Sequence, residues 1–68
     1  SLKNINGRRS LYVVKNILKG ETFNIHNIKS IRPANGMHPK FLKRVIGKKS
    51  KINIKFGTPL NKKFIKNF

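Results

Sequence analysis

Apolar residues in this chain come in short groups that are separated by glycine, proline and asparagine. Residues 11–14 (Leu-Tyr-Val-Val) are mostly β-branched or aromatic and predict a short strand within residues 9–15. Ile52 and Ile54 alternate with polar residues, which is the spacing of a strand with one buried face. Because residues 29–32 are also expected to be extended, the pattern predicts a compact fold that is mostly β with short helices.

One longer helical pattern lies between His38 and Gly47. His38 can cap the first turn, Pro39 fits the first helical position, and Gly47 fits the position after the last turn. The apolar residues between them recur at the spacing of one helix face; they are Phe41, Leu42, Val45 and Ile46. We therefore expect a single helix here.

The chain contains an internal repeat. Residues 17–24 align without gaps with residues 54–61, an offset of 37 positions. Each copy reads as a strand, a glycine turn, an apolar residue and an asparagine (Asn24 or Asn61) that can cap a following turn. The repeat predicts two halves that are related by a pseudo-dyad and bury their apolar faces together. The predicted core comprises Val13, Ile17, Phe23, Ile28, Ile31, Leu42, Val45, Ile46, Ile52, Ile54, Leu60 and Ile65.

Length and charge limit the class of protein. A chain of 68 residues without cysteine allows one small domain and favours a reducing, cytoplasmic compartment. Residues 1–7 are interpreted as a linker or disordered lead-in, and residues 8–68 as the domain. Seventeen Lys and Arg against the single acid Glu21 leave polyanion binding, as in a nucleic-acid module, as an alternative. The cations are spread along the chain and form no single stripe, so nucleic acid is not the expected partner. A membrane is not expected either, because the apolar runs are too short to cross one.

The residue types argue against catalysis by this chain. One carboxylate cannot form a general acid and base pair, and a Ser-His-Asp triad needs an Asp that the chain lacks. His26, His38 and Glu21 do not have the spacing of a metal site. We predict no catalytic and no metal-binding residue, and interpret the chain as a binding or positioning module.

Residues 31–39 (Ile-Arg-Pro-Ala-Asn-Gly-Met-His-Pro) form the stiffest stretch of the sequence. Proline fixes its own φ, and glycine permits conformations that other residues avoid. Pro33, Asn35 and Gly36 are therefore expected to shape a rigid loop behind Arg32. From the residue types alone, the stretch is either a simple turn or a loop that presents Arg32 to a ligand.

Four motifs occur in order, and together they resemble the C-terminal antifreeze-like (SAF) domain of the sialic acid synthases. They are residues 8–14 (Arg-Arg-Ser-Leu-Tyr-Val-Val), 17–21 (Ile-Leu-Lys-Gly-Glu), the loop at 31–39 and 46–49 (Ile-Gly-Lys-Lys). The family includes the N-acetylneuraminate, pseudaminate and legionaminate synthases and is similar to type III antifreeze protein. The resemblance implies a duplicated β-clip, or "pretzel", fold.

The resemblance also implies a function. These synthases condense phosphoenolpyruvate with an N-acylated aminosugar such as N-acetylmannosamine, in a TIM barrel that holds Mn or Mg. Their SAF domain has no cofactor of its own and closes the barrel of the partner subunit in a homodimer. By this resemblance Arg32 contacts the sugar. Ala34 stands where the family more often has Gly. An antifreeze function is the weaker alternative, because ice-binding faces are weakly polar and this chain carries seventeen cations.

Overall fold

The computed structural model describes residues 8–68 and has two short strands. Strand β1, Ser10–Val13, pairs antiparallel with β2, Ile28–Ile31, with Ser10 opposite Ile31 and Val13 opposite Ile28. The other elements are a 3-10 helix at Pro39–Phe41, the helix α1 at Leu42–Val45 and a 3-10 helix at Lys62–Phe64. The prediction of a mostly β fold with short helices is confirmed. The predicted lead-in, residues 1–7, lies outside the described residues.

Backbone hydrogen bonds reveal the pseudo-dyad that the repeat predicts. Ile17 N donates to the carbonyl of Ile54 at 2.8 Å, and Ile54 N donates to that of Ile17 at 2.7 Å. Away from this pair, further bonds recur at the same offset of 37 positions. Gly20 N donates to Ser50 O, and Gly57 N donates to Val13 O, both at 2.8 Å. Each half therefore supplies the pairing partners of the other.

Turns and caps are duplicated in the same way. Gly20 and Gly57 both have φ of 88°, a conformation that disfavours side chains, in the two equivalent turns. Asn24 Oδ1 accepts from His26 N at 2.8 Å, and Asn61 Oδ1 accepts from Lys63 N at 2.9 Å. Both predicted asparagine caps are confirmed.

The core lies between the two halves. Eight predicted members are buried: Val13, Ile17, Phe23, Ile28, Val45, Ile54, Leu60 and Ile65. Leu11 and Tyr12 are buried as well, although they were not predicted. All four residues of β1 are buried because the strand is covered on both faces, so its sequence lacks the alternation of a one-sided strand.

Two predicted core positions are wrong, and two others are only partly buried. Ile31 ends β2 and is 38% exposed, and Ile52 is 43% exposed. The exposure of Ile52 follows from a bend that Ser50 stabilises. The Oγ of Ser50 donates to Ile52 O at 2.6 Å and accepts from Ile52 N at 3.3 Å. This bend replaces the predicted strand at residues 52–54. Leu42 and Ile46 are half-buried, and Leu42 packs against the core.

The predicted helix is present but shorter than expected, and its cap is confirmed. His38 Nδ1 accepts from Lys40 N at 3.0 Å. The 3-10 turn then passes into only one turn of α1, because Ile46 has left helical geometry with ψ of 128°. Gly47 follows with φ of 93°. None of the helices within residues 8–68 is long and apolar enough to cross a membrane.

Candidate functional site

The loop that carries Arg32 belongs to the segment that joins the two halves of the repeat. It begins where β2 ends, and a buried hydroxyl holds it in place. Ser10 is 1% exposed. Its Oγ donates to Pro33 O at 3.0 Å and accepts from Gly36 N at 3.0 Å. One side chain of β1 thus ties together the two ends of the loop tip.

Backbone pairing anchors the end of the loop to both halves. Leu11 N donates to Met37 O at 2.8 Å, and Met37 N donates to Leu60 O at 3.0 Å. Leu60 N in turn donates to Leu11 O at 2.9 Å. Because Leu11 belongs to β1 and Leu60 to the second copy of the repeat, the loop position is fixed by the assembled frame.

Gly36 packs directly against this backbone. A Cβ on Gly36 would lie 2.6 Å from Leu11 O and 3.0 Å from both N and O of Leu60. Backbone atoms cannot retreat as a flexible side chain would, so no larger residue fits. The predicted loop-shaping role of Gly36 thus has a steric basis, and Gly36 is not among the positive-φ glycines.

The tip of the loop is tight. The Arg32–Pro33 peptide bond is cis, and Asn35 N donates to Pro33 O at 3.0 Å. Ala34 is exposed and does not have positive φ, so its methyl group imposes no backbone strain. The departure from Gly at this position is therefore compatible with the loop.

Arg32 projects from this support. It directly follows β2 and is exposed. Its guanidinium makes no hydrogen bond to any of residues 8–68. A guanidinium offers five donors in a planar fork, which suits a carbonyl, a carboxylate or vicinal hydroxyls. Arg32 is thus an exposed donor at the start of a loop whose backbone is anchored to the domain.

Two features beside the loop were not predicted from the sequence. An open concavity of about 490 Å³ is lined by Arg8, Arg9, Ala34, Gly36, His38 and Pro39. On another flank, the guanidinium of Arg44 stacks at 4.4 Å over Phe68, whose ring meets Phe41 edge-on at 5.9 Å. The sequence places Arg8 and Arg9 in a motif, but their spacing does not show that they meet the loop.

The remaining candidate side chains have local roles. Glu21 Oε1 accepts from Leu18 N at 2.9 Å, and His26 is exposed in the turn that Asn24 caps. Within residues 8–68 there is no group of three or more His, Cys, Asp or Glu that could hold a metal ion. These side chains are therefore not suited to hold the divalent ion, which by the resemblance is bound in the TIM barrel of the synthases.

The sequence of this chain is similar to part of two curated pseudaminic acid synthases. The chain is 52% identical over 59 residues to the pseudaminic acid synthase of Campylobacter jejuni, covering 87% of this chain and 17% of that protein. It is 49% identical over 53 residues to the pseudaminic acid synthase of Helicobacter pylori, covering 78% and 16%. The chain thus spans about a sixth of the length of these curated relatives.

A solved structure shares the fold. The antifreeze protein-like domain of human N-acetylneuraminic acid phosphate synthase superposes with a TM-score of 0.84 at 14% identity, covering 93% of this chain and 81% of that one. The SAF domain family model matches residues 8–66. Because that match spans nearly all of the described residues, the chain belongs to the SAF domain family.

Proposed function

We propose that this chain is the C-terminal substrate-positioning domain of a nonulosonic acid synthase of the pseudaminic acid synthase type. In this role it performs no chemistry itself. It closes the barrel active site of the partner subunit in a homodimer, where phosphoenolpyruvate condenses with an N-acylated aminosugar. Any Mn or Mg required is bound by the barrel. About 50% identity to two pseudaminic acid synthases supports this assignment over other sugar acids.

The single observation that carries the proposal is the mounting of Arg32. The loop that follows it is held by the buried Ser10 hydroxyl, which bonds Pro33 and Gly36, and by the backbone pairing of Met37, whereas Arg32 itself is exposed. A donor that is fixed before binding loses little conformational entropy when a ligand arrives. The acyl carbonyl and hydroxyls of an aminosugar are acceptors that match this donor set.

Steady-state kinetics of the full-length synthase test the role of Arg32. Arg32→Ala removes hydrogen bonds from a charged group, each worth about 1.5–3 kcal/mol. We expect kcat/KM for the aminosugar to fall roughly 10- to 100-fold, with KM for phosphoenolpyruvate unchanged. Lys29→Ala is the matched control, because it removes an exposed cation from β2. Normal constants for both substrates in Arg32→Ala would exclude the proposed contact.

Mixed dimers test whether Arg32 acts across the subunit interface. One subunit carries Arg32→Ala, and the other carries an intact domain with an inactive barrel. If Arg32 reaches the partner's barrel, the intact barrel receives a native Arg32 and the mixture regains activity. If Arg32 serves its own barrel, neither site is complete and the mixture stays inactive.

A further inference from the structure

A second cationic site adjoins the Arg32 loop. The concavity of about 490 Å³ is lined by Arg8, Arg9 and His38 together with Ala34, Gly36 and Pro39. It therefore shares its wall with the loop that presents Arg32. The positions of its members are set by β1, by the loop and by the cap of the first 3-10 helix.

The polar groups at the ends of these side chains are hydrogen-bond donors. Each guanidinium carries five N–H groups and no acceptor. One N–H group of Arg9 already has a partner, because its Nη1 donates to Ser30 O at 3.4 Å. This bond directs the Arg9 side chain along the edge of β2. The remaining donors of Arg8 and Arg9 offer the fork that oxyanions accept in pairs.

His38 adds a donor with a fixed tautomer. Its Nδ1 lies 3.0 Å from Lys40 N, and a backbone N–H can only donate, so Nδ1 is the acceptor. The proton of the neutral imidazole is therefore on Nε2. The cap that starts the helix thus also sets which ring nitrogen can donate to a ligand.

The sequence offers no free acidic side chain that could neutralise the positive charge of this site. Glu21 is the only acid in the sequence, and its carboxylate accepts from Leu18 N within its own turn. A concavity rich in donors and poor in acceptors is complementary to an external anion. Two guanidinium groups and an imidazole N–H match the oxygens of a carboxylate or a phosphate.

We propose that Arg8, Arg9 and His38 form an oxyanion-binding site beside the Arg32 loop. The ligand group is a carboxylate or a phosphate. It comes either from an acidic side chain of the adjoining barrel or from a small acid such as phosphoenolpyruvate. The site itself is argued from this chain alone, and only the choice between the two sources rests on the proposed function.

Titration of the 68-residue chain with inorganic phosphate and with acetate tests the site. Amide resonances are followed by two-dimensional NMR at constant pH and ionic strength, with chloride as the reference anion. We expect saturable shifts at Ala34, Gly36 and His38, and the anion that binds more tightly identifies the preferred group. Shifts that never saturate, or that spread over all the lysines, would overturn the proposal.

Matched variants separate this site from general charge. Arg8→Gln/Arg9→Gln should weaken binding roughly tenfold or more, since it removes both forks. Lys55→Gln/Lys66→Gln loses the same charge from exposed positions elsewhere and should leave the affinity within twofold. His38→Asn keeps an N-cap acceptor but removes the Nε2–H donor, so it should weaken binding without loosening the helix start. Equal weakening in the arginine and lysine pairs would overturn the proposal.

Kinetics of the full-length synthase then identify the source. If the oxyanion belongs to the small substrate, Arg8→Gln/Arg9→Gln raises KM for phosphoenolpyruvate. If it belongs to the barrel, that KM stays constant while KM for the aminosugar rises, because the domain docks less firmly. The titration uses neither barrel nor activity, so its failure is distinct from a failure of the Arg32 experiments.

Discussion

Asn16 and Asn53 occupy equivalent positions in the two copies and make the same contact across the pseudo-dyad. Asn16 Oδ1 accepts from Phe56 N at 2.8 Å, and Asn53 Oδ1 accepts from Lys19 N at 2.7 Å. Each side chain thus fixes the turn of the opposite copy. The duplication therefore extends from the backbone to the polar side chains that join the halves.

These two asparagines should contribute equally to stability. Asn16→Ala and Asn53→Ala each remove one exposed hydrogen bond, so we expect each to lower the free energy of unfolding by about 1 kcal/mol. Chemical denaturation of both single variants and of the double variant measures this. Lys55→Ala, at an exposed position without positive φ, is the control. A large difference between the two single variants would show that the halves are not energetically equivalent.

Gly36→Ala should be among the most damaging single-methyl changes in the chain. The added Cβ would meet backbone atoms of Leu11 and Leu60, and overpacking of this kind costs about 1–3 kcal/mol. For a domain of this size, each kcal/mol lowers Tm by about 4–8 °C. Thermal unfolding by circular dichroism gives the value. Ala34→Gly, at an exposed loop position, should change Tm far less.

Ser10→Ala should loosen the loop more than it weakens the frame. It leaves Gly36 N and Pro33 O without their partner, which costs about 1–3 kcal/mol. Amide hydrogen exchange should therefore speed up at Gly36 and remain slow at Ile17, which pairs on the pseudo-dyad. Uniformly faster exchange at both sites would show that Ser10 acts on global stability. Ser30→Ala, in the paired strand, is the control.

Arg32→Lys separates charge from geometry in the full-length synthase. The ammonium keeps the positive charge but lacks the planar fork, so we expect aminosugar kcat/KM between those of the wild type and Arg32→Ala. Thermal unfolding of the isolated chain should be unchanged, because Arg32 is exposed. A Lys variant as impaired as Ala would show that the fork, and not the charge, is needed.

Much of the frame could be predicted from sequence because it is encoded locally and twice. The repeated glycine turns and asparagine caps predicted the halves, and eight core positions followed from periodicity. The prediction that Ile52 is buried on a strand was wrong, because the hydroxyl of Ser50 stabilises a bend in a segment whose alternating pattern indicates a strand. Leu11 and Tyr12 were missed because β1 is covered by segments that are distant in sequence.

The candidate site was predicted only in part for the same reason. Local rules for proline and glycine indicated the loop, and the resemblance singled out Arg32. The hold of Ser10 on the loop and the meeting of Arg8, Arg9 and His38 depend on tertiary contacts. No spacing in the sequence shows them.

The loop tip lies in the join between the copies and contributes nothing to the pairing across the pseudo-dyad. Its contacts with the frame converge on Ser10, Gly36 and Met37. Residues 32–35 can therefore be exchanged as a cassette, provided that these three anchors are kept. If Arg32 contacts the aminosugar as proposed, chimeras that carry the tip of a related synthase should change the aminosugar kinetics of the full-length enzyme while the recipient frame keeps its own unfolding temperature.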